Sequence, residues 1–247
     1  MDEYQLKNFL KFAPARLGLV KKKHLFIHIP KNGGMAIRHS KDLAGRIVLA
    51  NRRRLKSKAY ADAVKEQMQL KGGQPGYEHA RFRDIDMSVR RATRAFAIVR
   101  NPWSRTVSRF KFAVQTRAGS AGTPIEISRT SFEAFLDERH AWGNVDYFWH
   151  RAIRGWYPQA DYLLDEEGRL VTAILRQEYL GEELKRYLRL DSELERRNVS
   201  RASSGGESGL YTDRTIQIVA DWYARDIELF GFDFGAPASK NTLYAEG

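Results

Sequence analysis

HLFIHIPKNGGMAI, residues 24–37, begins as a short apolar run rich in β-branched side chains and closes at Pro30. Lys31, Asn32, Gly33 and Gly34 follow, and then a segment able to form a helix from Met35 onward. This order predicts strand, tight loop, helix. A second unit of the same kind lies further on. RAFAIVR (residues 94–100) reads as a strand, Asn101 suits a helix cap, and Pro102 suits the first helical position. Trp103, Val107, Phe110 and Val114 recur at helical spacing and predict a buried stripe, with Ser104, Ser108 and Lys111 on the opposite side. Strands alternating with helices predict an α/β fold, one domain over residues 1–247 with a central, mainly parallel sheet flanked by helices. Ligands of such sheets bind at the carboxyl ends of the strands, where Lys31 and Arg100 both emerge.

The rest of the chain fills in around these units. Residues 1–22 read as a basic N-terminal extension. Tyr60–Leu70 predicts a modest helix with Ala63, Val64, Gln67 and Leu70 as its apolar positions, ended by Gly72, Gly73 and Pro75. Ser131–Arg139 predicts a helix with Phe132 and Phe135 inward. Leu170–Leu175 predicts a strand before a helix over Glu178–Leu188. SRASSGGESG, residues 200–209, predicts a mobile loop. Ile216, Val219, Tyr223, Ile227 and Phe230 then mark one final helix, with Thr212 or Asp213 as cap and Gly231 as stop.

Composition narrows the function classes. With no cysteine, the chain holds no disulfide, thiolate nucleophile or cysteine-ligated metal. Six scattered histidines lack the paired spacing of a zinc helix, so no metal is expected. Asp2, Glu3, Lys7, Lys11 and Arg16 interrupt the first twenty residues, which excludes a signal peptide or membrane span there and predicts a soluble cytoplasmic protein. The formal net charge of +12 favours an anionic partner. Its densest run, Arg52–Lys58 (RRRLKSK), reads first as a solvated face and second as an anion-binding patch. A basic nucleic-acid-binding protein is the reading that charge alone would allow, but no nucleic-acid motif supports it.

The loop at Lys31 has the chemistry of a phosphate cradle. Two glycines open the backbone amides at a helix N-terminus, and a lysine stands beside them. It is not a Walker loop, because the Gly-Lys-Ser/Thr ending is absent. FIHIPKNGGMAI (residues 26–37) together with FAIVRNPWSRTVSRF (residues 96–110) resembles the two nucleotide-binding motifs of the sulfotransferases that use 3'-phosphoadenosine-5'-phosphosulfate (PAPS). The likeness is strongest to the carbohydrate branch related to heparan sulfate 2-O-sulfotransferase, as a soluble bacterial member. It extends weakly through RQEYLGEEL (residues 176–184) and IELFGFDF (residues 227–234).

The resemblance implies a P-loop-like sulfotransferase architecture and transfer of a sulfuryl group from PAPS, as co-substrate, to a hydroxyl of a carbohydrate acceptor. It implies that Lys31, Asn32, Gly33, Gly34, Met35 and Ala36 hold the 5'-phosphosulfate, and that Arg100 and Ser108 hold the 3'-phosphate. Met35 and Ala36 depart from the pattern, since the family carries threonine and serine there. Neither replacement offers a side-chain hydrogen bond, so a catalytically degenerate nucleotide-binding protein stands as the alternative. Lys31 is expected to stabilise charge on the transferring group, and His79, in GYEHARFR (residues 76–83), to act as the base, with Glu78 as the fallback. Arg201 is expected to approach the nucleotide phosphates from the loop at 198–204. His28 reads as a packed structural group, and the aromatic stretch 142–157 as core or, alternatively, a sugar-stacking surface.

Overall fold

The computed structural model describes residues 1–73, 79–121, 126–170, 172–191 and 208–236. Four strands, β1 (Lys23–Ile27), β2 (Ile47–Leu49), β3 (Thr93–Val99) and β4 (Ala173–Arg176), pair in the order β2-β1-β3-β4, and every pairing is parallel. Leu25 lies between Val48 and Ala95, and Ala97 pairs with Ile174. Side chains alternate across the sheet. Leu25, Ile27, Ala97, Val99 and Ile174 enter the larger core, while Phe26, Phe96, Ile98 and Leu175 enter a smaller one on the other face. Burial on both faces is why these strands read as unbroken apolar runs.

Ten α-helices surround the sheet among the described residues: α1 (Glu3–Arg16), α2 (Met35–Arg38), α3 (Lys58–Leu70), α4 (Met87–Ala92), α5 (Pro102–Ala121), α6 (Arg129–Trp142), α7 (Ala160–Leu163), α8 (Leu180–Leu188), α9 (Asp213–Trp222) and α10 (Ala224–Phe230). The smaller core is closed by Ile37 of α2 and by Leu184 and Leu188 of α8. In α5, Trp103, Val107 and Phe110 are buried as their spacing predicts. The same helix also buries Arg105 and Arg109. Arg105 Nε and Nη1 donate to the carbonyls of Pro30 (3.3 Å) and Tyr157 (3.1 Å). Arg109 donates to the carbonyls of Ala152 and Ile153 and to Tyr223 Oη, with its guanidinium 4.0 Å over the Trp156 ring.

Several elements differ from the sequence-based expectation. Residues 1–22 are not simply a basic extension. Asp2 caps α1 by accepting from the Tyr4 and Gln5 amides, and Asn8 and Phe12 are buried. Helix α3 starts earlier than predicted, capped by Ser57, and buries Ala61, Val64 and Met68, a stripe at helical spacing that leaves Leu70 exposed on the opposite side. The fourth strand runs Ala173–Arg176 rather than Leu170–Leu175, with Leu170 bridging to Leu164 instead. The final helix, capped by Thr212 and stopped at Gly231 (φ +66°), is broken at Tyr223, which leaves α10 free to turn Asp226 inward. The RRRLKSK run forms a single 3₁₀ turn at Arg52–Arg54. Its Arg54 is not simply solvated, since Nη1 donates to Asn8 Oδ1 and the guanidinium lies over Phe12.

Candidate active site

The carboxyl ends of β1 and β3 bring Lys31 and Arg100 together. Arg100 Nη1 donates to the Lys31 carbonyl at 3.3 Å. Burial holds the Lys31 ammonium pKa below its ordinary value, and the neighbouring Arg100 charge adds to that shift. Among the described residues no carboxylate forms an ion pair with Lys31. Its Nζ lies instead 4.3 Å from the Phe112 ring centroid. Phe112 is one helical turn beyond Ser108 on α5, so the ammonium lies along the face that carries this half-buried serine.

Backbone conformation shapes the loop. Lys31 itself has φ +68°, a left-handed conformation that costs a non-glycine residue about 1–3 kcal/mol and is characteristic of functional loops. Gly33 (φ +80°) is exposed, with Gln177 the nearest side chain to its missing Cβ at 3.4 Å. Gly34 has a packing role. A Cβ there would lie 2.4 Å from His28 Cδ2 and 2.9 Å from Phe26 Cζ, so the residue is glycine to let the loop pack on β1. Asn32 is buried. Its Nδ2 donates to the Ile98 carbonyl (2.7 Å) and to Gln159 Oε1 (2.6 Å). Met35 is 43% exposed and Ala36 half-buried, at the start of α2.

Gln159 is a residue that no motif announces. Its Oε1 accepts from Asn32 Nδ2 and from the Arg100 amide (2.8 Å), and its Nε2 donates to the Arg100 carbonyl (2.8 Å). One amide group thus clamps both motif loops. Asp226 holds it in turn, accepting from the Gln159 amide (2.7 Å), the Ala160 amide (2.8 Å) and Gln159 Nε2 (3.3 Å). Burial raises the Asp226 carboxyl to about 6 against the opposing pull of those donors. Gln159→Leu leaves the part-buried Arg100 backbone groups without this partner. The expected cost is about 3 kcal/mol, at about 1–3 kcal/mol per unpaired group, read as a lower urea midpoint at unchanged slope. An unchanged midpoint would remove Gln159 from the clamp.

His79 stands beside the same loop. Its Nδ1 lies 2.9 Å from the His28 carbonyl oxygen, and the two rings are 4.5 Å apart. A carbonyl only accepts, so Nδ1 carries the proton and Nε2 is the basic nitrogen of the neutral ring. His28 is buried and stacked on Phe26, the packed role expected of it, although it lies just past the end of β1 rather than within the strand. The aromatic stretch 142–157 is largely core, with Phe148, Trp149 and Trp156 buried, and Arg81 lies 3.5 Å over the Trp149 ring. Glu78, Arg201 and residues 200–207 lie outside the described residues. Among the described residues no group of three or more His, Asp or Glu side chains could hold a metal ion, and no helix is long and apolar enough to cross a membrane.

The family model described as "Sulfotransferase family" matches residues 21–233, which include both loops, His79 and the Gln159–Asp226 brace. The chain belongs to the sulfotransferase family. Neither a curated protein nor a solved structure matches it. The parallel sheet with both loops at its carboxyl edge is consistent with the fold of a sulfotransferase, and the reaction class is sulfuryl transfer to a hydroxyl-bearing acceptor.

Two further histidines tie this sulfotransferase's stability to pH. Burial, with lesser contributions from the His79 and Arg81 charges, lowers His150 to about 3. Burial, then His79 and Arg38, holds His28 well below its ordinary value. A lowered folded pKa means that the unfolded chain binds protons the folded chain refuses. The associated stability is complete above about pH 6.5 and is lost as pH falls. For His150 alone the loss between pH 7 and pH 5 is about 2 kcal/mol. Urea unfolding of His150→Phe is expected to show a fall between these pH values smaller by that amount. An equal fall would mean that His150 takes up no proton on unfolding.

Proposed function

We propose that this sulfotransferase takes its sulfuryl group from PAPS and delivers it to a carbohydrate hydroxyl, with Lys31 as charge stabiliser and His79 as base. The observation that carries the donor reading is the pair of cations, Lys31 and Arg100, set side by side by two strand ends, with the Lys31 ammonium partly desolvated. A polyanion relieves that cost where a neutral ligand does not. Bound PAPS supplies a sulfuryl group activated by attachment to a phosphate.

The chain's own residues do the rest. Lys31 leaves the Phe112 face to meet negative charge as it develops, in a site where desolvation strengthens the interaction. Gly33 exposes backbone to the 5' end, while Met35 and Ala36 contribute there through their amides alone. Arg100 and Ser108 face the 3'-phosphate. Arg105 fixes the Pro30 carbonyl immediately before Lys31, and Gln159 keeps the two loops in register. His79 Nε2 accepts the proton of the attacking hydroxyl while Nδ1 holds the ring to the His28 carbonyl. The carbohydrate acceptor rests on the motif resemblance, since the buried rings of the 142–157 stretch do not form an open stacking surface.

Calorimetric titration with the desulfated product, 3'-phosphoadenosine-5'-phosphate, tests the donor assignment. Arg100→Ala is expected to weaken binding about 10- to 100-fold, equivalent to about 1.5–3 kcal/mol for a charged hydrogen bond. Removing the 3'-phosphate from the nucleotide should weaken the wild type similarly and the variant little further. Equal affinity for nucleotides with and without that phosphate would overturn the assignment.

A further inference from the structure

Leu6, Phe9, Leu10, Leu17, Leu19 and Val20 account for six of the fourteen large apolar side chains left exposed among the described residues. They occupy a short stretch of the chain, and Leu10, Leu17 and Leu19 are 63%, 72% and 73% exposed. Successive helical residues turn by about 100°. Tyr4, Asn8, Phe12 and Ala15 therefore share an arc of roughly 80°, which is the arc packed on the core. Leu6, Phe9 and Leu10 share an arc of roughly 100° on the opposite side. Helix α1 thus has two apolar faces, one docked and one turned to solvent, and the outer face continues into the turn at 17–20.

Charge around this face is predominantly positive. Lys7, Lys11 and Arg16 on the helix and Lys21, Lys22 and Lys23 after it supply six cations. The only acids in the stretch are engaged, Asp2 as the helix cap and Glu3 in an ion pair with Lys7. The Arg16 guanidinium lies 4.0 Å over the Phe9 ring, at the border of the apolar strip. Arg54, Lys23 and Arg53 lie close enough to Lys11 to depress its pKa, together with partial burial, so the basic rim extends beyond the helix.

We propose that α1 and the turn that follows it form a peripheral docking surface for a bilayer bearing anionic headgroups, with the leucines entering the interface and the basic rim meeting lipid phosphates. An apolar strip bordered by long cationic side chains matches a lipid interface, where the leucines reach acyl chains and the lysines extend to the headgroups. A second copy of this chain on the same face would set like charges against each other, which costs several kcal/mol and disfavours a dimer there. The orientation leaves the site open. Residues 17–22 feed the amino end of β1, whereas Lys31 emerges beyond its carboxyl end.

Sedimentation with vesicles of phosphatidylcholine, with and without phosphatidylserine, tests the surface on the full chain. Binding is expected only with phosphatidylserine and is expected to weaken as salt is raised. Lys21→Gln with Lys22→Gln should reduce the partition coefficient about fivefold per lysine. Leu6→Ser with Leu10→Ser should reduce it at least as much, and circular dichroism should be unchanged because both side chains are exposed. The proposal is overturned by absence of phosphatidylserine-dependent binding. It is also overturned if both double variants bind as the wild type does, or if the wild type forms a concentration-dependent dimer that the leucine substitutions abolish.

Discussion

His79→Asn lowers kcat by about 10²–10⁴-fold, the range expected when a positioned base is removed, while product-nucleotide affinity stays within a fewfold of wild type. Asparagine is the informative replacement because its amide nitrogen sits where Nδ1 sits. It still donates toward the His28 carbonyl, 2.9 Å away in the wild type, but has nothing equivalent to Nε2. The substitution therefore separates holding the loop from moving the proton. Alanine would remove both and leave the cause of any loss ambiguous. With Nε2 as base, the wild-type rate on the acid side falls as that nitrogen becomes protonated, and the variant's small residual rate loses this dependence. Full activity in His79→Asn would take the residue out of the mechanism.

Lys31→Met is expected to lower kcat by about 10²–10³-fold, the loss typical of removing one group aimed at developing charge. Methionine keeps an unbranched apolar stem against Phe112, so the packing of the loop survives while the ammonium does not. It also adopts the left-handed backbone at the same cost as lysine, which avoids confusing charge with strain. Because the Arg100 charge lies close enough to Lys31 to help lower its pKa, the variant also removes a like charge from beside Arg100. Nucleotide affinity therefore falls less than turnover does. A variant with unchanged kcat but greatly raised KM would make Lys31 a binding residue only.

The parts of this molecule that local chemistry dictates were the ones legible in its sequence. β1 and β3 declare themselves because both sheet faces are covered, and a proline, Pro30 or Pro102, stands three residues beyond each strand end. Asn101 caps α5 through Oδ1, which accepts from the Trp103 amide, as its place before Pro102 predicts. Helix α1 was hidden because apolar residues on two opposite faces, with cations between them, leave no single stripe to recognise. β2, three residues long beside a run of arginines, is too short for a periodicity. The packing partners of Asn32 and Gly34 were not legible, because motif reading looks only toward the ligand, whereas the Asn32 side chain bonds Gln159 and the missing Gly34 Cβ makes room for His28. Gln159 and Asp226 could not be found locally at all. Their importance comes from chain topology that brings Gln159 within hydrogen-bonding distance of a residue 127 positions earlier.

That brace has a consequence for how the protein comes into being. The strands carrying Lys31 and Arg100 are both synthesised early, yet the carboxylate that anchors Gln159 lies at position 226, near the end of the matched family region. A nascent chain exposes both motif loops long before anything holds them in register. Long-range closure of this sort must be reached before its contacts reward it. The Lys31–Arg100 site is thus among the last features to mature on the ribosome, and under the proposed function tight nucleotide binding marks a chain whose C-terminal helices have already docked.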